Sequence, residues 1–210
     1  MMLSIYSEKE IIKEYFTDMQ NVMRYSDFMD KKFRKIVKKA TLFPARYSVI
    51  YTSPMKNRWI IILEAHNKKE VGDYCRMVSV CTYRDRNGFL NAAMSSSMDG
   101  KQMMIYYPWH FFSRYKDRTE KMQTGEEIIR EFFRYNYSYV FDIAQKRMLN
   151  SNLCIDEIYG STKEGVALGV LTENNNIFFK TFISYEMTKG EQVKKFADNE
   201  KIRQEIHDKN

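Results

Sequence analysis

An α+β fold, with an antiparallel sheet or sheets between helical segments, is what this sequence predicts, and three observations predict it. Apolar residues recur at helical spacing from Ser7 to Ala40. From Tyr47 to Tyr107 the period shortens to strand-like runs separated by Gly, Asn, Asp and Pro. Beyond Tyr107, helical and strand-like runs follow in blocks, ending on a last helical stretch.

The elements follow in order. Ser7 and Glu10 have the Ser-x-x-Glu spacing of a capping box, and Ile11, Ile12, Tyr15, Phe16, Met19, Val22 and Met23 continue at helical spacing. A first helix is expected from about Ser7 to Tyr25. Asp27 is suited to cap a second, with Met29, Phe33, Ile36, Val37 and Ala40 on its apolar side and a Lys/Arg cluster opposite. Pro44 closes this section. Strands are expected over Tyr47 to Thr52 and Arg58 to Ala65, joined through Ser53-Pro54-Met55-Lys56-Asn57, with Ile60 to Leu63 continuous enough for a central strand. Cys75 to Arg84 and Phe89 to Ser97 flank Asp85-Arg86-Asn87-Gly88, and Asn-Gly is a strong hairpin signal because both residues accept positive φ. Asp99-Gly100 repeats the device before Met103 to Tyr107, completing an antiparallel meander.

Pro108 is suited to open a helix, because its φ is preset and its missing N–H is not needed there. Thr124-Gly125-Glu126-Glu127 reads as another capping box, leading a helical pattern through Ile128, Ile129, Phe132 and Phe133, bent near Tyr135 to Tyr139, and on through Val140, Phe141, Ala144 and Met148. Three strands follow at Cys154 to Tyr159, Gly165 to Thr172 and Ile177 to Ser184, the last two joined by Asn174-Asn175-Asn176. Thr188 and Glu191 cap a final helix through Val193, Phe196, Ala197 and Ile202. A chain of 210 residues with no Pro-, Gly- or Ser-rich linker reads as a single domain, with sub-parts 1–107 and 108–210.

Composition bounds the function. Apolar residues make up 44% of the chain and aromatic residues 15%, which a disordered segment does not have. The formal charge of +7 favours polyanionic partners without specifying one. Cys75, Cys81 and Cys154 have no CxxC spacing, so neither a disulfide framework nor a zinc site is indicated, and a reducing cytoplasm is the expected compartment. The start lacks the basic segment and apolar core of a secretion signal, and no run approaches the ~20 apolar residues that cross a bilayer. His-Glu-x-x-His, the phosphate loop, the Gly-x-Ser-x-Gly elbow and the dinucleotide fingerprint are all absent, so no metal and no cofactor is expected. Asp156 and Glu157, neighbours on a strand, point to opposite faces and share no chemistry.

The chemistry concentrates in Tyr106 to Arg118. On a helix opened by Pro108, His110, Arg114 and Arg118 follow at i, i+4 and i+8, while Phe111, Phe112 and Tyr115 hold the helix against a sheet. Imidazole titrates near neutrality and is suited to act as general base or acid. Guanidinium forks match phosphate oxygens and offset charge in a phosphoryl transition state. Together they suit RNA cleavage by transesterification, with Thr181 or Ser184 donating a hydrogen bond to phosphate, Lys180 beside them, and Tyr115 stacking on a base. Plain structural readings stand beside these. His110 next to Trp109 suits a packing role at a helix start, Arg114 and Arg118 suit pairing with Asp117 or Glu120, and Thr181 and Tyr115 suit an ordinary strand and core. His66 and His207 have no motif around them and read as surface residues.

His110-x3-Arg114-x3-Arg118, followed by Glu164-Gly165-Val166-Ala167-Leu168-Gly169-Val170 and Phe179-Lys180-Thr181-Phe182-Ile183-Ser184 on paired strands, resembles the compact ribonucleases grouped with barnase, colicin nucleases and RelE. More narrowly it is similar to small toxin-like domains with an His-x3-Arg-x3-Arg helix ahead of a short antiparallel sheet. The likeness covers roughly Pro108 to Ser184. It implies a metal-independent endoribonuclease, with His110, Arg114, Arg118 and Thr181 catalytic and Tyr115, Lys180 and Ser184 binding substrate. RNA is the implied partner, with an inhibitory or partner protein as a second. The alternative expectation is a binding module of the same fold without catalysis.

Overall fold

Helix α1, Glu8–Lys39, begins as the sequence predicts: the Glu10 carboxylate accepts from the Ser7 backbone N–H at 2.7 Å, and the Ser7 hydroxyl caps the Glu10 N–H. It does not stop near Tyr25. One helix of 32 residues runs through the expected break, and Asp27 lies exposed within it rather than capping a second. Nothing in Tyr25-Ser26-Asp27 terminates a helix, because the Ser26 hydroxyl donates to the Met23 carbonyl, a bond that helical backbone accommodates. The computed structural model describes residues 7–72, 75–98, 100–148, 154–172, 174–189 and 191–208.

Two compact units divide the chain, 1–90 and 91–210. In the first, β1 (Ala45–Thr52), β2 (Arg58–Ala65) and β3 (Arg76–Arg84) form an antiparallel run in sequence order. α1 packs on it with a stripe of Ile11, Tyr15, Asp18, Val22, Ser26, Met29, Phe33 and Val37, every step three or four residues. β2 is buried from Trp59 to Ala65, the central strand its apolar run predicts. The one carboxylate in the stripe is fully satisfied. Asp18 Oδ2 accepts from Ser53 Oγ at 2.6 Å and from Asn57 Nδ2 and Trp59 Nε1 at 2.8 Å, and Oδ1 accepts from Asn21 Nδ2 at 2.8 Å.

The second unit holds β4 (Leu90–Met98, from Asn91 onward), β5 (Lys101–Tyr107), α2 (Trp109–Arg118), α3 (Glu126–Asn136), β6 (Val140–Met148), β7 (Cys154–Ser161), β8 (Gly165–Leu171), β9 (Ile177–Ser184), a 3₁₀ turn (Tyr185–Met187) and α4 (Glu191–Asp208). Its strands lie in the order β4-β5-β9-β8-β7-β6. All pairs are antiparallel except β5 with β9, which run parallel with Ile105 opposite Ile177, so the sheet is mixed.

Two expectations for this half are corrected. The helical pattern does not continue past Asn136, and Val140–Met148 is a strand paired with β7. Tyr137-Ser138-Tyr139-Val140-Phe141 is rich in residues that pack well on a pleated surface, and its helical-looking periodicity yields to that pairing. Thr124 does not cap α3 with its side chain. Gly125 takes the N-cap position at φ 58°, and Thr124 contributes only its carbonyl, to the Glu127 N–H. In α4 the inward residues are Phe196, Asn199 and Arg203, whereas Ala197 and Ile202 are exposed. Val193 lies outside the described side chains.

α2 and α3 cover one face of the sheet. Tyr107, Phe111, Phe112, Tyr115, Phe132, Phe133, Phe179 and Phe182 are all buried there and meet edge to face or tilted, as in Tyr107 with Phe133 at 5.0 Å and Tyr115 with Phe182 at 5.1 Å. Gly160 faces Phe179 on this side, whereas its neighbour Tyr159 meets Phe196 of α4 at 5.9 Å. Successive strand residues point to opposite faces, so α4 covers the other side.

Candidate functional site

α2 is positioned by its ends and its apolar face. Pro108 sits at the N-cap, and the Trp109 N–H donates to Asn91 Oδ1 of β4 at 2.8 Å. At the far end the Thr119 N–H and hydroxyl both return to the Tyr115 carbonyl, and the Lys121 N–H reaches the Lys116 carbonyl across Glu120, which takes the left-handed conformation at φ 54°. Phe111, Phe112 and Tyr115 are buried, so the helix cannot rotate without emptying the core.

The opposite face carries His110, Arg114 and Arg118. His110 is half-buried, its ring perpendicular to that of Trp109 at 5.8 Å, and Arg114 is exposed. Neither has a hydrogen-bond or ion-pair partner among the described residues. Arg118 donates to the Phe182 carbonyl of β9 and lies 3.4 Å from Thr181 Oγ1. Its pKa is lowered by burial and then by the neighbouring Arg114 charge. The guanidinium still stays protonated at neutral pH. Arg118 and Thr181, 63 residues apart, are therefore brought together.

β9 meets α2 through an irregularity. Leu168 pairs with Thr181 but Gly169 pairs with Phe179, so Lys180 is an extra residue in β9. This bulge lets both Phe179 and Phe182 enter the same aromatic core, and it turns Lys180 to solvent and leaves Thr181 half-buried beside Arg118. Gly169 makes room for it, since a Cβ there would lie 2.4 Å from the Phe178 carbonyl oxygen. Ser184 ends the strand, half-buried.

Tyr115 does not reach a base. Its side chain is 0% exposed, its ring is enclosed by Phe132 and Phe182, and its hydroxyl donates to Glu164 Oε2 at 2.6 Å. The role expected for it is corrected accordingly: it anchors α2 to the β7–β8 turn. Glu164 also accepts from Asn136 Nδ2 at 2.5 Å and pairs with Lys121 Nζ at 3.1 Å, while Asn136 Oδ1 accepts from the Glu164 N–H at 3.0 Å. Burial alone would raise the Glu164 pKa, but the Tyr115, Asn136 and Lys121 contacts outweigh it and hold the carboxyl below its ordinary range. Burial, then Glu164, pushes the Tyr115 phenol up.

Sequence reading gave no role to Asn91, Asn136 or Lys121, and quoted Glu164 only within a strand segment. The available signal was Asn136 itself, a polar residue inside the aromatic run Phe132-Phe133-Arg134-Tyr135-Asn136-Tyr137. His66 is half-buried, with Nε2 3.0 Å from Glu64 Oε1, and the side chain of His207 lies outside the described residues. Cys75 is half-buried and Cys81 buried, and neither is joined in a disulfide. Among the described residues no group of three or more His, Cys, Asp or Glu side chains is placed to hold a metal ion, and no helix is long and apolar enough to cross a membrane.

Comparison with family models, curated proteins and solved structures yields no match to this chain.

Proposed function

We propose that this chain is a ribonuclease-like protein that acts on RNA through the outer face of α2, without a metal ion. One observation carries the reading. His110 and Arg114 stand on consecutive turns without a hydrogen-bond or ion-pair partner among the described residues, while Arg118 is docked on β9 beside Thr181 at a strand bulge. In cleavage by transesterification the RNA 2′-oxygen bonds to phosphorus as its proton leaves, and the P–O5′ bond breaks as the 5′-oxygen gains a proton. His110 moves one of these protons and solvent the other. Arg114 holds the scissile phosphate and offsets the charge that builds on its oxygens. The eight residue steps from His110 to Arg118 rise about 12 Å along the helix. Arg118, with Thr181, accordingly engages a neighbouring phosphate, and Lys180 and Ser184 flank it.

That same rise favours a second reading, a binding module that tracks an RNA backbone without cutting it. Cleavage of RNA by the purified protein in EDTA separates the two. Catalysis predicts a cyclic phosphate product, activity indifferent to chelation, and a loss of ~10²- to 10⁴-fold in rate for His110→Ala. RNA binding without cleavage selects the second reading, and cleavage undiminished in His110→Ala removes the first.

A further inference from the structure

A second cationic cluster lies apart from the α2 face, centred on Tyr135 in the last turn of α3. Lys121 Nζ and the Arg134 guanidinium each lie 5.6 Å from the centre of its ring, and Lys163 Nζ lies 5.7 Å from it. These cations come from three places: the α2–α3 loop, α3, and the β7–β8 turn. Lys121 is neutralised by Glu164 at 3.1 Å and Glu131 at 3.8 Å. Arg134 and Lys163 are exposed, and neither has a carboxylate partner among the described residues. Two uncompensated cations are thus gathered on one aromatic ring, which attracts each through its negative face but does nothing to relieve their mutual repulsion. The carbonyl end of α3 favours the cations at this point, and a bound anion would offset the repulsion that remains between them.

We infer that Arg134 and Lys163, gathered by the ring of Tyr135, form a subsite for a phosphate of single-stranded RNA. The inference rests on the reading of the chain as an RNA-acting protein. Glu164 connects the two places: it accepts from Tyr115 of α2 and pairs with Lys121 beside Tyr135. Lys121 follows Arg118 by three residues. Lys121 Nζ lies over the Tyr135 ring, so the cluster stands near the C-terminal end of α2, the end that carries Arg118. The arginine supplies a planar fork and the lysine a mobile point charge, a combination that grips a phosphodiester without reading its base.

The test measures binding of a fluorescent single-stranded oligoribonucleotide to the full chain across a salt series, with cleavage followed in parallel. Single-strand binding loses about 0.7 of salt slope per neutralised phosphate, so Arg134→Ala/Lys163→Ala, which removes one phosphate site, is expected to lower the slope by about 0.7. Its affinity at low salt should fall roughly tenfold or more. Arg134→Lys/Lys163→Arg keeps the charges and should keep the slope. Tyr135→Leu also keeps the charges, so it should preserve the slope while weakening binding roughly threefold through looser side chains. Both exposed positions tolerate substitution, which an unchanged thermal midpoint verifies. If wild-type protein binds or cleaves RNA and the double alanine variant matches it in affinity and slope, the subsite is wrong and the wider reading survives. If the variant loses binding as expected and no protein cleaves, the subsite stands and the catalytic reading falls. A wild-type chain that does not bind RNA overturns both.

Discussion

At the scale of single residues, two carboxylates do more for this molecule than their number suggests. Asp18 is fully buried with no cation beside it among the described residues, and neutral donors from Ser53, Asn57, Trp59 and Asn21 surround it. A buried charge persists on such terms because each donor lowers its energy, and the reverse holds too: the donors need the acceptor. Asp18→Ala strands the Ser53 hydroxyl, the Asn57 amide and the Trp59 indole N–H without that partner. The expected loss is roughly 3 kcal/mol, measured by urea unfolding, since each buried orphan costs about 1–3 kcal/mol and some recover water. A loss below about 0.5 kcal/mol would show that the cluster is a consequence of packing and not a cause. Glu164 has the same part at the candidate site, where it ties α2, α3 and the start of β8 through Tyr115, Asn136 and its own backbone.

Among the elements, β6 and β9 depart from sequence expectation, one in type and one in detail. Tyr139 explains why 140–148 pairs as a strand. Its hydroxyl meets that of Tyr107 at 2.8 Å, and its ring stacks on Phe141 at 5.3 Å and Phe179 at 5.5 Å. Tyr139 and Phe141 share a face only if the chain between them is extended. In β9 the extra residue at Lys180 changes which side chains face α2, and it depends on the bare backbone of Gly169. Gly169→Ala drives a methyl group into the Phe178 carbonyl, so it should destabilise the protein by about 1–3 kcal/mol and lower its thermal midpoint. The site should suffer in proportion, because Thr181 and the carbonyl that holds Arg118 lie on the same strand. Wild-type stability in that variant would mean that the bulge has room to spare.

Across the whole molecule, acid is the expected weakness, because each unit keeps an inward carboxylate with a depressed pKa, Asp18 in the first and Glu164 in the second, beside the exposed Glu10, which the Ser7 hydrogen bonds also hold low. For Asp18, burial pulls upward and the Ser53, Asn21, Trp59 and Asn57 hydrogen bonds together pull further down. A carboxyl whose folded pKa lies below its unfolded value stabilises the fold fully above the unfolded value and loses that contribution as pH falls through the folded one. The ordinary values are 3.8 for Asp18 and 4.5 for Glu164, so their contribution is complete near neutrality and declines below these values. The thermal midpoint should hold between pH 7 and about pH 5 and fall steeply below about pH 4. Asp18→Asn should flatten part of that fall. A midpoint that holds at about pH 3 would rule the two carboxylates out as the source of acid sensitivity.

The α+β class, the capping box at Ser7, the apolar central strand, most strand limits and the helix bearing His110, Arg114 and Arg118 were legible in the sequence, because local periodicity and turn chemistry determine them. Local rules act over a few residues, and each of these features is decided within such a span. What they could not reach was decided by partners distant in the chain. Asp27 looked like a cap because nothing nearby said that α1 would keep its stripe on the sheet through Met29, Phe33 and Val37. Residues 140–148 carried a helical period that pairing with β7 overrode. Tyr115 had the composition of a base-stacking residue, and only the arrival of Phe132, Phe182 and Glu164 around it made it an anchor. The meeting of Arg118 with Thr181, the bulge at Lys180 and the gathering of Lys121, Arg134 and Lys163 on Tyr135 are likewise long-range events. The sequence determines the pieces by what each residue does to its neighbours, and tertiary packing alone decides which pieces share a surface.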